Sequence, residues 1–207
     1  AVFLFSDHGD FTGDYGLVEK TQNTFEDCLV HVPFIVKLPA GVPTQPGTNP
    51  ALVELVDFRA TVEELTGLQP GYTHFGRSLL PLLYGQTTQH RDAVFSEGGR
   101  RHGEVHCMER ESPRGQDFLY WPRMSLQSEE GPAHTKAAMC RTGRYKYVHR
   151  LYELDELYDL VEDPQELNNR IDEPSLADVQ ARLKQRLLDF YLETSDVVPH
   201  RPDERGH

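Results

Sequence analysis

The chain opens with Ala1-Val2-Phe3-Leu4-Phe5, an unbroken apolar run that stops abruptly at Ser6-Asp7-His8-Gly9-Asp10. A short continuous run of this kind suits a strand covered on both faces, as in a parallel sheet. Residues 2–5 are therefore expected to form a parallel, largely buried strand. Strands of that type do not ordinarily begin a polypeptide, and the segment has neither the charged n-region nor the cleavage pattern of a secretory signal. The expectation is a chain that starts inside a fold, with something missing upstream.

Further along, Gly13, Tyr15 and Gly16 mark a loop. Residues 30–37 are rich in β-branched and aromatic side chains and predict a strand, with Pro33 near its start where a missing N–H is tolerated. Residues 39–50 form a Pro/Gly/Thr-rich loop. Leu52, Leu55, Val56, Val62 and Leu65 recur at helical spacing over 51–66, closed by Gly67 as C-cap. Residues 79–83 suggest an apolar turn and 93–96 a short strand. From Gly98 to His134 the pattern dissolves into polar residues, Gly and Pro. Residues 137–140, 144–150 and 156–160 then predict three strands. The alternation in Tyr145-Lys146-Tyr147-Val148-His149 points to an antiparallel sheet with one wet face. Ser175 offers an N-cap to a helix over 175–193 carrying Leu176, Val179, Leu183, Leu187 and Phe190, and residues 199–207 make a polar, frayed tail. The units expected are 1–97, an irregular insertion at 98–136, and an antiparallel-sheet subdomain with its terminal helix at 137–207.

Charge excludes several functions. Lys and Arg number 21 against 33 Asp and Glu, a formal charge of −12 over 207 residues. A nucleic-acid binder needs a basic footprint, and anionic membranes repel such a chain; neither partner is expected. No run of about 18 apolar residues is available to span a bilayer, so a soluble chain is expected; its compartment, cytoplasm or periplasm, is unknown, because any signal peptide would lie upstream. Cys28, Cys107 and Cys140 are odd in number and widely spaced, with no zinc-ribbon pattern, and are expected to be buried reduced thiols.

Two places can carry chemistry. Asp7 and His8 stand at the C-terminal end of the first strand, where open α/β sheets place their ligands. A carboxylate and an imidazole there can share one divalent cation, with Gly9 turning the backbone away; an Asp-Gly turn with an incidental histidine is the plainer alternative. Lys20 follows a glycine-bearing loop that can fold its ammonium back over the strand end. Beside a cation, it would take a second oxygen of an oxyacid group and stabilise charge growing in the transition state; a solvated surface lysine is the plainer reading. Gly98-Gly99-Arg100-Arg101 is a small basic spot read as a loop. Cys140-Arg141-Thr142-Gly143-Arg144 lacks the Pro of a modified-cysteine nucleophile and is rejected as one.

The strings FSDHGDFTGDYGLVEK and TFEDCLVHVPFIVKLPAG resemble the sulfatase family of the alkaline phosphatase superfamily. LVELVDFRATVEELTG, FGRSLLPLL, FSEGG, RTGRYKYVHR and DELYDLVEDPQELNN continue the resemblance in order, over nearly the whole chain except about 103–134. The fold it implies is α/β: the C-terminal portion of an alkaline-phosphatase-like mixed sheet flanked by helices, plus a small antiparallel sheet with a long terminal helix. It places Asp7 and His8 at positions that ligate a divalent cation, usually calcium. Imidazole at the second position, where many relatives have Asn, also suits manganese or zinc. It places Lys20 where an ammonium contacts sulfate or phosphate oxygens. The family's nucleophile is a formylglycine made from a Cys/Ser-x-Pro/Ala-x-Arg motif, which these residues do not contain. That motif, two acidic metal ligands and a further His and Lys belong to the family's N-terminal half, so the isolated chain is expected to be inactive. The resemblance implies hydrolysis of a small-molecule or saccharide sulfate ester. Phosphonate monoester and phosphodiester hydrolases share the Asp-His and Lys positions and stay open, as does a non-catalytic structural or binding unit.

Overall fold

Two antiparallel sheets organise the residues described by this computed structural model, 1–108, 115–129 and 134–197. In chain order the elements are β1 (Val2–Phe5), α1 (Asp27–Val30), β2 (Phe34–Lys37), α2 (Asp57–Thr66), α3 (Leu80–Leu83), β3 (Val94–Gly98), α4 (Trp121–Glu129), β4 (Ala137–Arg141), β5 (Tyr145–Arg150), β6 (Glu156–Asp159) and α5 (Ala177–Thr194). The architecture is that of a mixed α/β chain: a β1–β2 ribbon, a β3–β4–β5–β6 sheet, and a long C-terminal helix.

The larger sheet holds the core. Tyr147 lies opposite Cys140 on one side and Leu157 on the other, and this face is sealed by Leu183 and Leu187 of α5. Leu183, Leu187 and Phe190 recur at the helical spacing that brings one stripe onto the sheet, and Phe190 stacks on Phe95 at 4.2 Å. The opposite face corrects an expectation. It is not wet: Phe25 packs on Ala137, Met139 and Val148, and Lys146, in register with Arg141, is fully buried. The alternation was real, but its polar position is closed over by ion pairs instead of water.

The β1–β2 ribbon corrects another. β1 is antiparallel to β2, with Leu4 opposite Ile35 and Phe5 opposite Phe34. Phe3 and Phe5 turn inward onto Phe58 of α2, with ring centroids 5.0 and 5.1 Å apart. Val2, Leu4 and Ile35 remain 61%, 57% and 61% exposed. One hydrogen-bonded neighbour and one helix cover only one edge and one face, so apolar composition alone does not bury this strand.

Helix boundaries differ for identifiable reasons. α2 begins at Asp57, not residue 51, because Leu52 pairs with Arg91 in an isolated bridge. The buried Asp57 carboxylate collects the Glu54 and Arg77 N–H groups, at 2.9 and 2.8 Å, and the Arg91 guanidinium. Gly67 caps α2 in the left-handed region as expected, at φ 72°. Residues 80–83 close into a helical turn. α5 starts after a 3₁₀ turn at Pro174–Leu176, so Ser175 lies within that turn and does not cap α5. α4 falls in the stretch read as irregular. Its buried residues include Gln127 as well as Met124, so no apolar stripe announces it. The tail expected at 199–207 lies outside the described residues. Of the three cysteines only Cys140 is buried; Cys28 is half-buried and Cys107 exposed.

Candidate functional site

The loop leaving β1 is built by short-range bonds. The Ser6 hydroxyl donates to the His8 carbonyl at 2.6 Å, and the His8 N–H donates to Asp7 Oδ1 at 3.0 Å. Gly9 N–H then donates to the Leu29 carbonyl at 2.7 Å. A Cβ at residue 9 would stand 1.8 Å from the Cys28 carbonyl oxygen, so only glycine permits this docking onto α1.

Asp7 and His8 turn to the same side. His8 Nε2 lies 3.9 Å from Asp7 Oδ2, and both side chains are open to solvent. His8 Nδ1 lies 2.8 Å from the Gly9 carbonyl. A carbonyl only accepts, so Nδ1 carries the proton of that bond, and in the neutral ring this leaves Nε2 with its lone pair, on the side of the Asp7 carboxylate. Fixing one ring nitrogen on a carbonyl is how metal-binding histidines set their tautomer. One carboxylate and one free imidazole nitrogen form a donor pair that fits a divalent cation. Among the described residues no group of three or more His, Cys, Asp or Glu side chains could hold a metal, so the pair is at most part of a coordination sphere.

Lys20 is returned to this loop by its backbone. Asp10 Oδ1 accepts from both Phe11 N–H, at 2.9 Å, and Lys20 N–H, at 2.7 Å, while the fully buried Phe11 ring anchors the turn. The Lys20 ammonium sits 3.3 Å from Glu19, whose other oxygen lies 3.3 Å from Arg123 of α4. Glu19, Asp10 and Arg123 were not singled out from the sequence.

The support beneath the loop was also missed. Asp27, at the start of α1, accepts from Lys146 Nζ at 2.7 Å and from the Arg141 guanidinium at 3.0 Å, while its N–H donates to Glu166 at 2.6 Å. Lys146 also reaches Glu166 at 2.5 Å and the Phe25 carbonyl at 2.7 Å. Burial pushes the Asp27 carboxyl up, but the Lys146 and Arg141 charges outweigh it and hold the group below its ordinary range. Glu166, whose carboxyl is almost wholly enclosed, goes the other way: desolvation exceeds the pull of Lys146 and raises it. The four charges bolt α1, and through it Gly9, onto β4 and β5. Partners 119 and 139 positions apart leave no spacing signal.

Cys140 is wholly buried and its thiol is pushed up to about 12 by burial, which agrees with rejecting it as a nucleophile.

Residues 126–193 match the family model described as N-sulphoglucosamine sulphohydrolase, C-terminal. The order of sheets and the long helix agree with solved structures. The phosphonate monoester hydrolase of Silicibacter pomeroyi superposes over 99% of this chain and 37% of its own, at TM-score 0.70 and 23% identity. The chain is similar to the C-terminal region of sulfatases. Two curated sulfatases of Bacteroides thetaiotaomicron align along most of it. An N-acetylglucosamine-6-O-sulfatase is 26% identical over 99% of the chain, and a Delta 4,5-hexuronate-2-O-sulfatase is 28% identical over 94%. The chain spans about a third of the length of the curated relatives it matches, 31%, 32% and 35%. No helix among its described residues is long and apolar enough to cross a membrane.

Proposed function

We propose that this chain contributes Asp7, His8 and Lys20 to the active site of a hydrolase of saccharide or other small sulfate esters, completed by an N-terminal half that carries the nucleophile. The observation behind this reading is the strand-end loop. Asp7 and His8 converge there, with His8 Nδ1 taken by the Gly9 carbonyl and Nε2 turned to the side of Asp7, and Asp10 draws the Lys20 backbone into the same turn. The sugar sulfates named for the two Bacteroides relatives support the saccharide class.

Asp7 and His8 would hold a divalent cation, calcium by the family's habit, with manganese or zinc compatible with the imidazole. When bound, such a cation lowers the pKa of an attacking hydroxyl and polarises an ester oxygen. Asp7 supplies the negative charge, and the Gly9 carbonyl keeps the His8 ring in its ligating tautomer. Lys20, held by Glu19 when no ester is bound, exchanges that carboxylate for an ester oxyanion. Its charge then stabilises the negative charge that grows as the bond breaks.

Hydrolysis of an aryl sulfate by the complete protein tests the reading. Lys20→Ala is expected to lower kcat by about 10²–10³-fold with a smaller change in KM, and Lys20→Arg to rescue it only partly, because a planar fork is not a compact ammonium. Wild-type rates in Lys20→Ala would return Lys20 to the surface. A phosphonate monoester hydrolase is the second reading, favoured by the superposition at TM-score 0.70. It predicts the same losses on a phosphonate monoester, with that substrate preferred to the sulfate.

A further inference from the structure

Two residues beyond Lys20, Gln22 forms one wall of a pocket of about 680 Å³ whose other walls include Arg100, Arg101, Glu104 and Lys136. Two residues of chain reach at most about 7 Å, so the pocket adjoins the segment that carries Lys20. Its charge is opposite to that of the molecule. The protein carries −12 overall, yet among the described residues that line the pocket three cations meet one carboxylate. That carboxylate is already committed: Glu104 takes the Arg101 guanidinium at 2.8 and 2.9 Å. Arg100 is buried with one guanidinium nitrogen 3.2 Å from the Gln127 carbonyl, so the contacts open to a ligand are those of Arg101 and Lys136. Lys136 is exposed, and among the described residues no carboxylate lies within ion-pair distance of its ammonium.

The walls are rigid. A Cβ at Gly98 would stand 2.0 Å from the Gln22 carbonyl oxygen, and one at Gly99, at φ 78°, would stand 2.2 Å from that of Thr135. Arg100 N–H donates to the His134 carbonyl at 3.1 Å, Lys136 N–H to the Arg100 carbonyl at 2.8 Å, and Asn23 Nδ2 to the Thr135 carbonyl at 3.0 Å. The end of β3, the segment after Lys20 and the approach to β4 are thus interlocked, and the cations sit on a frame that need not reorganise to receive a ligand.

We propose that this pocket is a second oxyanion subsite, binding a carboxylate or sulfate on the sugar next to the one that is hydrolysed, with Lys136 and Arg101 as its contacts. The inference rests on the saccharide reading above. A group held there lies away from the breaking bond and gains no charge during the reaction, so the subsite acts on affinity and selectivity and not on turnover.

Equilibrium binding tests it without requiring turnover. Calorimetry on the complete protein would use three probes: a sulfated glucosamine–uronate disaccharide, the same disaccharide with its carboxyl reduced to an alcohol, and one with a second sulfate in place of the carboxylate. Lys136→Ala is expected to weaken the first or the third by about tenfold, the loss of one charge-assisted contact, with Lys136→Arg restoring most of it. The reduced probe is expected to shift less than twofold. Which anionic probe responds identifies the oxyanion. Equal effects on all three probes, or on none, overturn the subsite. Turnover of an aryl sulfate by the unsubstituted protein is scored separately; its absence would overturn the hydrolase reading and leave the binding comparison intact.

Discussion

Val2, Leu4 and Ile35 stand on the open face of a two-stranded ribbon, while Tyr147, Cys140 and Leu157 are sealed between the larger sheet and α5. The second set is no more apolar than the first. What separates them is coverage: β5 has a strand on either side, α5 over one face and the Phe25 segment over the other, whereas β1 has β2 and one helix. The larger sheet makes its own core. The ribbon, which carries the candidate site, rests on α2 through Phe3 and Phe5 and is tied to the larger sheet by charges reaching over from it.

Removing the bolt is expected to give the largest effect. Lys146→Met leaves the Asp27 and Glu166 carboxylates without their shared cation in a buried place, a change that typically costs about 3–5 kcal/mol, measured by urea denaturation. Amide exchange should rise in residues 6–11 and 25–31 ahead of the larger sheet. Leu183→Ala supplies the contrast. A comparable cavity cost of about 2–5 kcal/mol should loosen α5 and β5 first. Identical exchange patterns in the two variants would erase the distinction between the regions.

That distinction also marks what was legible. β4, β5, β6 and α5 follow from local periodicity, because each element's pattern reports the side it turns to a core made within the chain. Asp7, His8 and Lys20 were legible as residue types at a strand end, and the structure brings the first two together and ties the third's backbone to their loop. The antiparallel pairing of β1 and the burial of Lys146 were not legible. Both depend on partners far along the chain, and a lysine in an alternating strand carries no mark that a carboxylate will meet it. α4 was hidden for a different reason, since its buried residues include a glutamine.

A smaller effect comes from pH, and the two carboxylates beside Lys146 should act in opposite directions. Asp27 is held below its ordinary range, so its contribution is complete above about pH 3.9 and is lost as pH falls toward its folded value. Glu166 is raised by burial, so the folded protein retains its proton longer and stability declines as pH rises above about 4.3. Asp27 has Arg141 as a second cation and partial contact with water; Glu166 has neither advantage. Urea midpoints against pH should lose their acid-side slope in Asp27→Asn and the opposing slope above it in Glu166→Gln. If both variants kept the wild-type profile, the network would not couple to folding.

The smallest effect in this chain should come from the ribbon's outer face, and its size depends on what else is present. Leu4 and Ile35 are 57% and 61% exposed, so Leu4→Ser or Ile35→Ser should change the stability of the 207-residue chain by no more than about 0.5 kcal/mol. The curated relatives are about three times as long as this chain, and an apolar face beside the candidate site is suited to being covered by the N-terminal half proposed above. In the complete protein the same substitutions should then each cost about 1.5–3 kcal/mol, the value of burying one such side chain. Denaturation of both forms measures the difference directly. A small cost in both would mean that the ribbon's outer face meets water even when the protein is whole, and that the strand-end loop is positioned by contacts within this chain: the Phe11 anchor, the packing on Phe58 and the Asp27–Lys146–Glu166 bolt.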